Sequence, residues 1–262
     1  HMARFRSLKS DLRTRLESSD WRRELDAIAA LPGKETVGPL MSFLLLGGAV
    51  KWRAAVALGL CVARLAEAHR EDARVVVRRL MWHMNEESGN IGWGIPEAMA
   101  EILASHRGLA EEYHRILISY VRDTDKDNNF CDHAPLRRSC YWAVGRLAQA
   151  WPDLARGAGE PLLAGLHDED APCRGAAAWA LGQLMQAGQA VGATSGQPAG
   201  KAHAEAAATL DGDFVRRLSD GLRELFDNDA EVEIFENGEA GTPTVGAIAR
   251  RVAHLLPSGI SI

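Results

Sequence analysis

A short signature, alanine followed by a large apolar residue and then a small one, returns along this chain at Ala57-Leu58-Gly59, Ala98-Met99-Ala100, Ala143-Val144-Gly145 and Ala180-Leu181-Gly182. A weaker copy stands at Arg251-Val252-Ala253, and the offsets between copies are 41, 45, 37 and 71 residues. A period near 40 belongs to units of two helices, each too small to bury its own apolar face, so the copies must stack. The long final offset holds residues 188–210, GQAVGATSGQPAGKAHAEAAATL. Their Gly, Ala, Ser and Pro content reads as a flexible insertion before the last repeat.

Each signature follows a second amphipathic stretch. Leu154, Leu162, Leu163 and Leu166 keep helical spacing, as do Phe214, Leu218, Leu222 and Leu225. Asp170 before Ala171-Pro172 predicts a helix N-cap with proline in the first turn. The expected fold is all-α: a right-handed α-α superhelix of about five helix pairs, capped by a basic N-terminal helix carrying Phe5, Leu8, Leu12 and Leu16. One domain is expected over 3–262, with His1-Met2 read as a cloning remnant.

The segments KWRAAVALGL, LRRSCYWAVGRL and CRGAAAWALGQL resemble the HEAT-like repeats first described in phycobilisome (PBS) lyases, which read roughly Asp-x-x-Val-Arg-x-x-Ala-x-x-Ala-Leu-Gly. The resemblance covers most of residues 20–190 and, more faintly, 212–256. It implies a HEAT-like or ARM-type solenoid. The chain is also similar to HEAT-repeat proteins of sulphate-reducing bacteria. The family holds lyases, a di-iron hydroxylase and many interaction scaffolds, so it implies a fold more than an activity. Its di-iron members use adjacent His-Glu pairs, yet none of the nine histidines here is followed by Glu. Its DNA glycosylases use a basic cleft, against which this chain sets a net charge of -5. No bilin-lyase motif transfers onto particular residues.

The stretch NEESGNIGWGIPEAMAEILA, residues 85–104, looks at first like a glycine-rich phosphate loop. A P-loop needs a preceding strand and a following Gly-Lys-Ser/Thr, and both are missing. The repeat gives it another address: Trp93 falls at the position of Trp52 and Ala98 at that of Ala57, making it the second helix of the second repeat. Pro96 then either begins that helix or kinks it.

At about 100° per residue, positions 50, 54, 57, 58 and 61 share one core-facing arc. Copies of that arc place Cys61, Cys140 and Cys173 inside, which argues against a zinc site, as does the lack of any Cys-x-x-Cys pair. The opposite arc carries Trp52, Trp93, Glu97, Arg138, Trp142 and Trp179. Two readings fit: indoles filling gaps between repeats, or indoles flooring a concave groove. The groove is the expected binding site, because Trp and Arg anchor interfaces most often.

The turns between paired helices gather Glu86, Glu87, Cys131, Asp132, His133, His167, Asp168, Glu169 and Asp170. Acidic caps explain most of these. A divalent metal on His133, His167 and Asp168 is the weaker reading. An enzyme or cofactor-handling role at Cys131, His133 and His167 is the alternative to a scaffold. No cofactor is expected.

Charge is uneven: residues 1–23 hold seven basic and three acidic side chains, and residues 205–240 hold three basic and eleven acidic. No run of about 18 uncharged apolar residues and no leader-like opening is present, so a cytoplasmic protein without a membrane span is expected. The expected partner is a protein or peptide, with nucleic acid disfavoured by the acidic balance. Asn237-Gly238 within EVEIFENGEAGTP fits either a hairpin turn or an acidic loop.

Overall fold

The computed structural model describes residues 2–194 and 211–257, which form twelve α-helices and one short hairpin. After α1 (Met2–Glu17) and α2 (Trp21–Ala29), the helices run in pairs: α3 (Gly33–Phe43) with α4 (Gly48–Ala68), α5 (Arg70–His83) with α6 (Ile95–Ser105), and α7 (Arg107–Ser119) with α8 (Ala134–Ala150). Then follow α9 (Gly159–Gly165) with α10 (Ala171–Thr194), and α11 (Gly212–Glu224) with α12 (Val245–Ala253). Between α11 and α12 lie β1 (Ile234–Glu236) and β2 (Glu239–Gly241). The chain therefore carries the all-α helix-pair repeat fold that the signature predicts. Its start is Pro32 for the first pair, and Asp170 accepts the Cys173 amide at 3.0 Å as the predicted cap of α10.

The residues divide into two compact units: the chain up to Tyr113 with Phe235–Ala240, and His114–Ile234 with the segment from Gly241 onward. In the first unit α4 packs mainly on α6 and α3. In the second, α8 packs on α10, and α10 on α12 and α9. Second helices thus stack on second helices, and the signature lies at that contact. Its alanine and large residue are buried at Ala57-Leu58, Ala98-Met99, Ala143-Val144 and Ala180-Leu181. Its small third residue admits the next repeat. A β-carbon on Gly59 would lie 2.7 Å from the Glu101 carbonyl oxygen, and one on Gly182 would lie 2.8 Å from Val252 Cγ2.

Two sequence expectations change here. The second helix of the second repeat begins at Ile95, so Trp93 sits in the turn before it. Gly94 adopts φ +74°, a conformation that suits glycine, and Pro96 occupies the first turn, which settles the choice between starting and kinking the helix. At the other end α10 continues through Thr194, so the opening of the expected insertion is helical, while 195–210 lie outside the described residues. The 231–243 segment forms the hairpin, with Asn237 at φ +54° and Gly238 at φ +79° as its two turn residues. No helix among the described residues is long and apolar enough to cross a membrane.

Candidate functional site

The six residues expected to line a groove do not form one open row. Trp52, Glu97 and Trp93 belong to the first unit and Arg138, Trp142 and Trp179 to the second. Trp142 and Trp179 are buried and stacked on each other, centroids 6.0 Å apart and planes 9° apart. The cause is the glycine at the third signature position: a β-carbon on Gly145 would lie 2.5 Å from Trp179 Cζ3, so the missing side chain is the space the indole fills. These rings plug the seam between successive second helices, the reading in which indoles fill gaps between repeats.

Trp52 is also buried, at 2% exposure, because the hairpin tip covers it. Phe235 stacks on its indole at 5.0 Å with planes 6° apart, Lys51 Nζ lies 4.2 Å from the ring centroid, and Arg22 donates to the Asn237 carbonyl at 2.6 Å. Glu97 is fully buried and faces Lys51 Nζ at 3.2 Å. Its place in the first turn of α6 adds the favourable end of the helix dipole. Arg138 is spent on Asp170, which accepts from both Nε and Nη2 at 2.8 Å. Trp93, 40% exposed, is the one indole of the expected row that reaches solvent.

The turn edge of the second unit resolves into structural joints. Arg137 donates from Nε and Nη2 to Asp168 at 2.8 Å, and Tyr141 donates to the same carboxylate at 3.2 Å. The guanidinium also serves the carbonyls of Cys131 and Asp132 and lies 5.1 Å from the Phe130 ring centroid. This pair floors a cleft of about 750 Å³ whose walls include Phe130, Asp132, Glu160 and His167. His133 accepts the Leu136 amide at the start of α8, and His167 faces Glu224 at 3.5 Å. The metal reading on His133, His167 and Asp168 is therefore corrected: each side chain has another task. Among the described residues no group of three or more His, Cys, Asp or Glu side chains is arranged to hold a metal ion.

Cys131 differs from its fellow thiols. A hydrogen bond with the Cys140 thiol, aided by the His133 backbone and the Arg137 charge, holds its pKa below the ordinary value despite burial. Burial pushes Cys61 up to about 11 and also raises Cys173. Alkylation of the folded protein at neutral pH, followed by peptide mass mapping, will mark Cys131 first and leave Cys61 and Cys173 unmodified until denaturant is added.

A second surface escaped the sequence reading. Leu45 (69% exposed) and Leu46 (48%) occupy the turn between α3 and α4, and Ile91 (45%) and Trp93 occupy the turn before α6. The two turns touch: a β-carbon on Gly94 would lie 2.7 Å from Leu44 Cβ. The first unit thus carries four large apolar side chains in solvent on adjoining turns, next to a half-exposed Trp82 at the end of α5. A signal existed. Three consecutive leucines, Leu44-Leu45-Leu46, cannot all face inward from one turn, and only Leu44 does.

Comparison with known proteins adds no activity. A HEAT repeat family model matches residues 160–188, which covers α9 and most of α10. Among curated proteins none matches the sequence. Similar solved structures include an engineered protein, 18% identical over 97% of each chain with a TM-score of 0.43. A designed armadillo repeat protein is 16% identical over 94% of this chain and 99% of its own, with a TM-score of 0.43. The archaeal HEAT-like repeats protein from Thermococcus onnurineus NA1 is 13% identical over 97% of this chain and 98% of its own, with a TM-score of 0.37.

Proposed function

We propose that this chain is a non-enzymatic scaffold that holds a protein or peptide partner on the apolar turn edge of its first unit. The carrying observation is the exposure of Leu45, Leu46, Ile91 and Trp93 together on two turns in contact. Single exposed apolar residues are ordinary, whereas a contiguous set marks an interaction surface. Trp is also among the side chains that most often dominate binding energy. Five of the residues on the arc expected to line a groove belong to the frame: Trp142, Trp179 and Trp52 are sealed in stacks, and Glu97 and Arg138 are held in ion pairs.

The test keeps the fold and changes the edge. Leu46→Ser with Trp93→Ser should leave far-ultraviolet circular dichroism unchanged, since both side chains already face solvent. Quantitative mass spectrometry of proteins captured from the native lysate should show the specific partner depleted about tenfold or more relative to the parent chain. An unchanged captured set with intact helicity would remove this edge as the binding surface.

A further inference from the structure

We infer that Cys131 and Cys140 are a modification site: a dithiol at the entry to α8 that hydrogen peroxide converts into a disulfide. The site lies within the second unit and does not depend on the reading of the apolar edge. The backbone sets the pair up. The Tyr120 carbonyl accepts the Cys131 amide at 3.0 Å, which fixes where the chain turns back toward α8. Arg137 holds the other side of the same residue, donating from Nη1 to the Cys131 carbonyl at 2.9 Å and to that of Asp132 at 3.1 Å. Cys140 stands three residues beyond Arg137 on the same face of α8, so the face that grips the Cys131 backbone also presents a thiol to its side chain. A hydrogen bond joins the two thiols. Both also act on the Tyr120 phenol, whose pKa is raised first by burial and then by the charge these sulfurs can carry.

The two sulfurs have different parts. Cys131 is 9% exposed against 0% for Cys140, and its neighbours Phe130 and Asp132 both line the cleft, which puts the Cys131 side within reach of a molecule as small as a peroxide. The hydrogen bond from Cys140 also favours the Cys131 thiolate, the form that attacks. Cys61 and Cys173 differ on both counts: they donate to the carbonyls of Ile28 and Ala134, and burial raises their pKa values. The Cys131 thiolate attacks one peroxide oxygen; the S–O bond forms, the O–O bond breaks, and hydroxide leaves to become water with the proton the thiol gave up. The Cys140 sulfur then attacks the Cys131 sulfenic acid; the S–S bond forms, the S–O bond breaks, and the hydroxyl leaves as water with the Cys140 proton. Two thiols lose two electrons in all, and one peroxide gains them. The new bond ties the segment carrying Phe130 and Asp132 to α8, so oxidation fixes one wall of the cleft.

The experiment treats the reduced full chain with a few equivalents of hydrogen peroxide under native conditions, then reads intact mass and thiol content after denaturation. The parent chain should become lighter by two hydrogens and keep two of its four thiols, and a thiol reductant should restore all four. Trypsin cuts after Arg137 and Arg138, between the two cysteines, so unreduced digests should hold the Cys131 and Cys140 peptides joined by the bond. Cys140→Ser should lose no hydrogens and should carry a sulfenic acid on Cys131 that dimedone traps. Cys131→Ser should keep its three remaining thiols. Circular dichroism checks that each variant is folded, and if either is not, the peptide map of the parent decides alone. Four thiols surviving in the parent overturn the inference. So does oxygen gained without loss of two thiols, a bond to Cys61, Cys173 or another copy of the chain, or a bond that forms only in denaturant.

Discussion

Trp179→Ala will lower the stability of the second unit by about 3–5 kcal/mol, the range for removing a buried tryptophan from a core. The upper part of that range is expected, because the site cannot collapse: the ring is fully buried against Trp142 on one side and against the bare backbone of Gly145 on another. Glycine has no side chain to lean into the cavity. The same geometry predicts that Gly145→Ala costs more in the parent chain than in the Trp179→Ala background. In the parent chain the new methyl group would sit 2.5 Å from Trp179 Cζ3 and 2.9 Å from Ala180 Cα, and overpacking of about 1–3 kcal/mol outweighs the helix preference of alanine, which is about 1 kcal/mol. In the Trp179→Ala background the contact with the indole is gone and only the 2.9 Å approach to Ala180 Cα remains, so Gly145→Ala costs less there than in the parent chain. Urea unfolding of all four proteins, with hydrogen exchange on α8 and α10, measures the coupling directly. Additive effects would show that Gly145 and Trp179 do not share one space.

That pairing also shows what could be read from the sequence. The period of Ala57-Leu58-Gly59 and its copies locates every second helix but the start of α6, and it assigns the large residue inward correctly. What it cannot supply is the neighbour. A helical wheel orders residues into arcs without saying which arc a stacked copy will cover, and in this chain the copy covers the arc of Gly59, Gly145 and Gly182. The hint was in the composition of that arc: Gly175, Trp179 and Gly182 leave α10 apolar on nearly every side, as expected for a helix buried all round. A lone glycine on a supposedly open face has no reason to be there, whereas a glycine under an indole does. The hairpin over Trp52 lay further out of reach, since Phe235 meets a residue 183 positions earlier and no period connects them. The apolar edge is hidden for a related reason: Leu45, Leu46, Ile91 and Trp93 stand in irregular backbone, where spacing carries no facing information.

Arg137→Ala will destabilise the second unit by up to about 3–5 kcal/mol, because it leaves a largely buried carboxylate without its partner. Asp168 and Arg137 are 5% and 3% exposed at the floor of the cleft and joined by two hydrogen bonds of 2.8 Å, so loss of the guanidinium leaves the carboxylate with little hydration in place of its partner. The same joint sets the acid limb of the stability curve. Burial alone would raise the Asp168 pKa, but the hydrogen bonds from Arg137, the Asp170 amide and Tyr141, with the guanidinium charge, hold it below the ordinary value. Its neighbour Asp170, gripped by Arg138, is held at about 2. A carboxylate whose folded pKa is depressed contributes its full stability above the unfolded value, about 3.9, and loses it as the pH falls through the folded one. Unfolding between about pH 4 and pH 2 should therefore take up protons at these two sites and lower the melting temperature steeply. Asp170→Asn, which keeps an oxygen acceptor for the Cys173 amide but carries no charge, should be less stable than the parent at pH 6 and should approach it toward pH 2. Parallel melting curves across that window would contradict the assignment of the acid limb to Asp170. Arg138→Met adds a second check, since without the guanidinium Asp170 should titrate nearer 3.9 and shift the acid transition upward in pH.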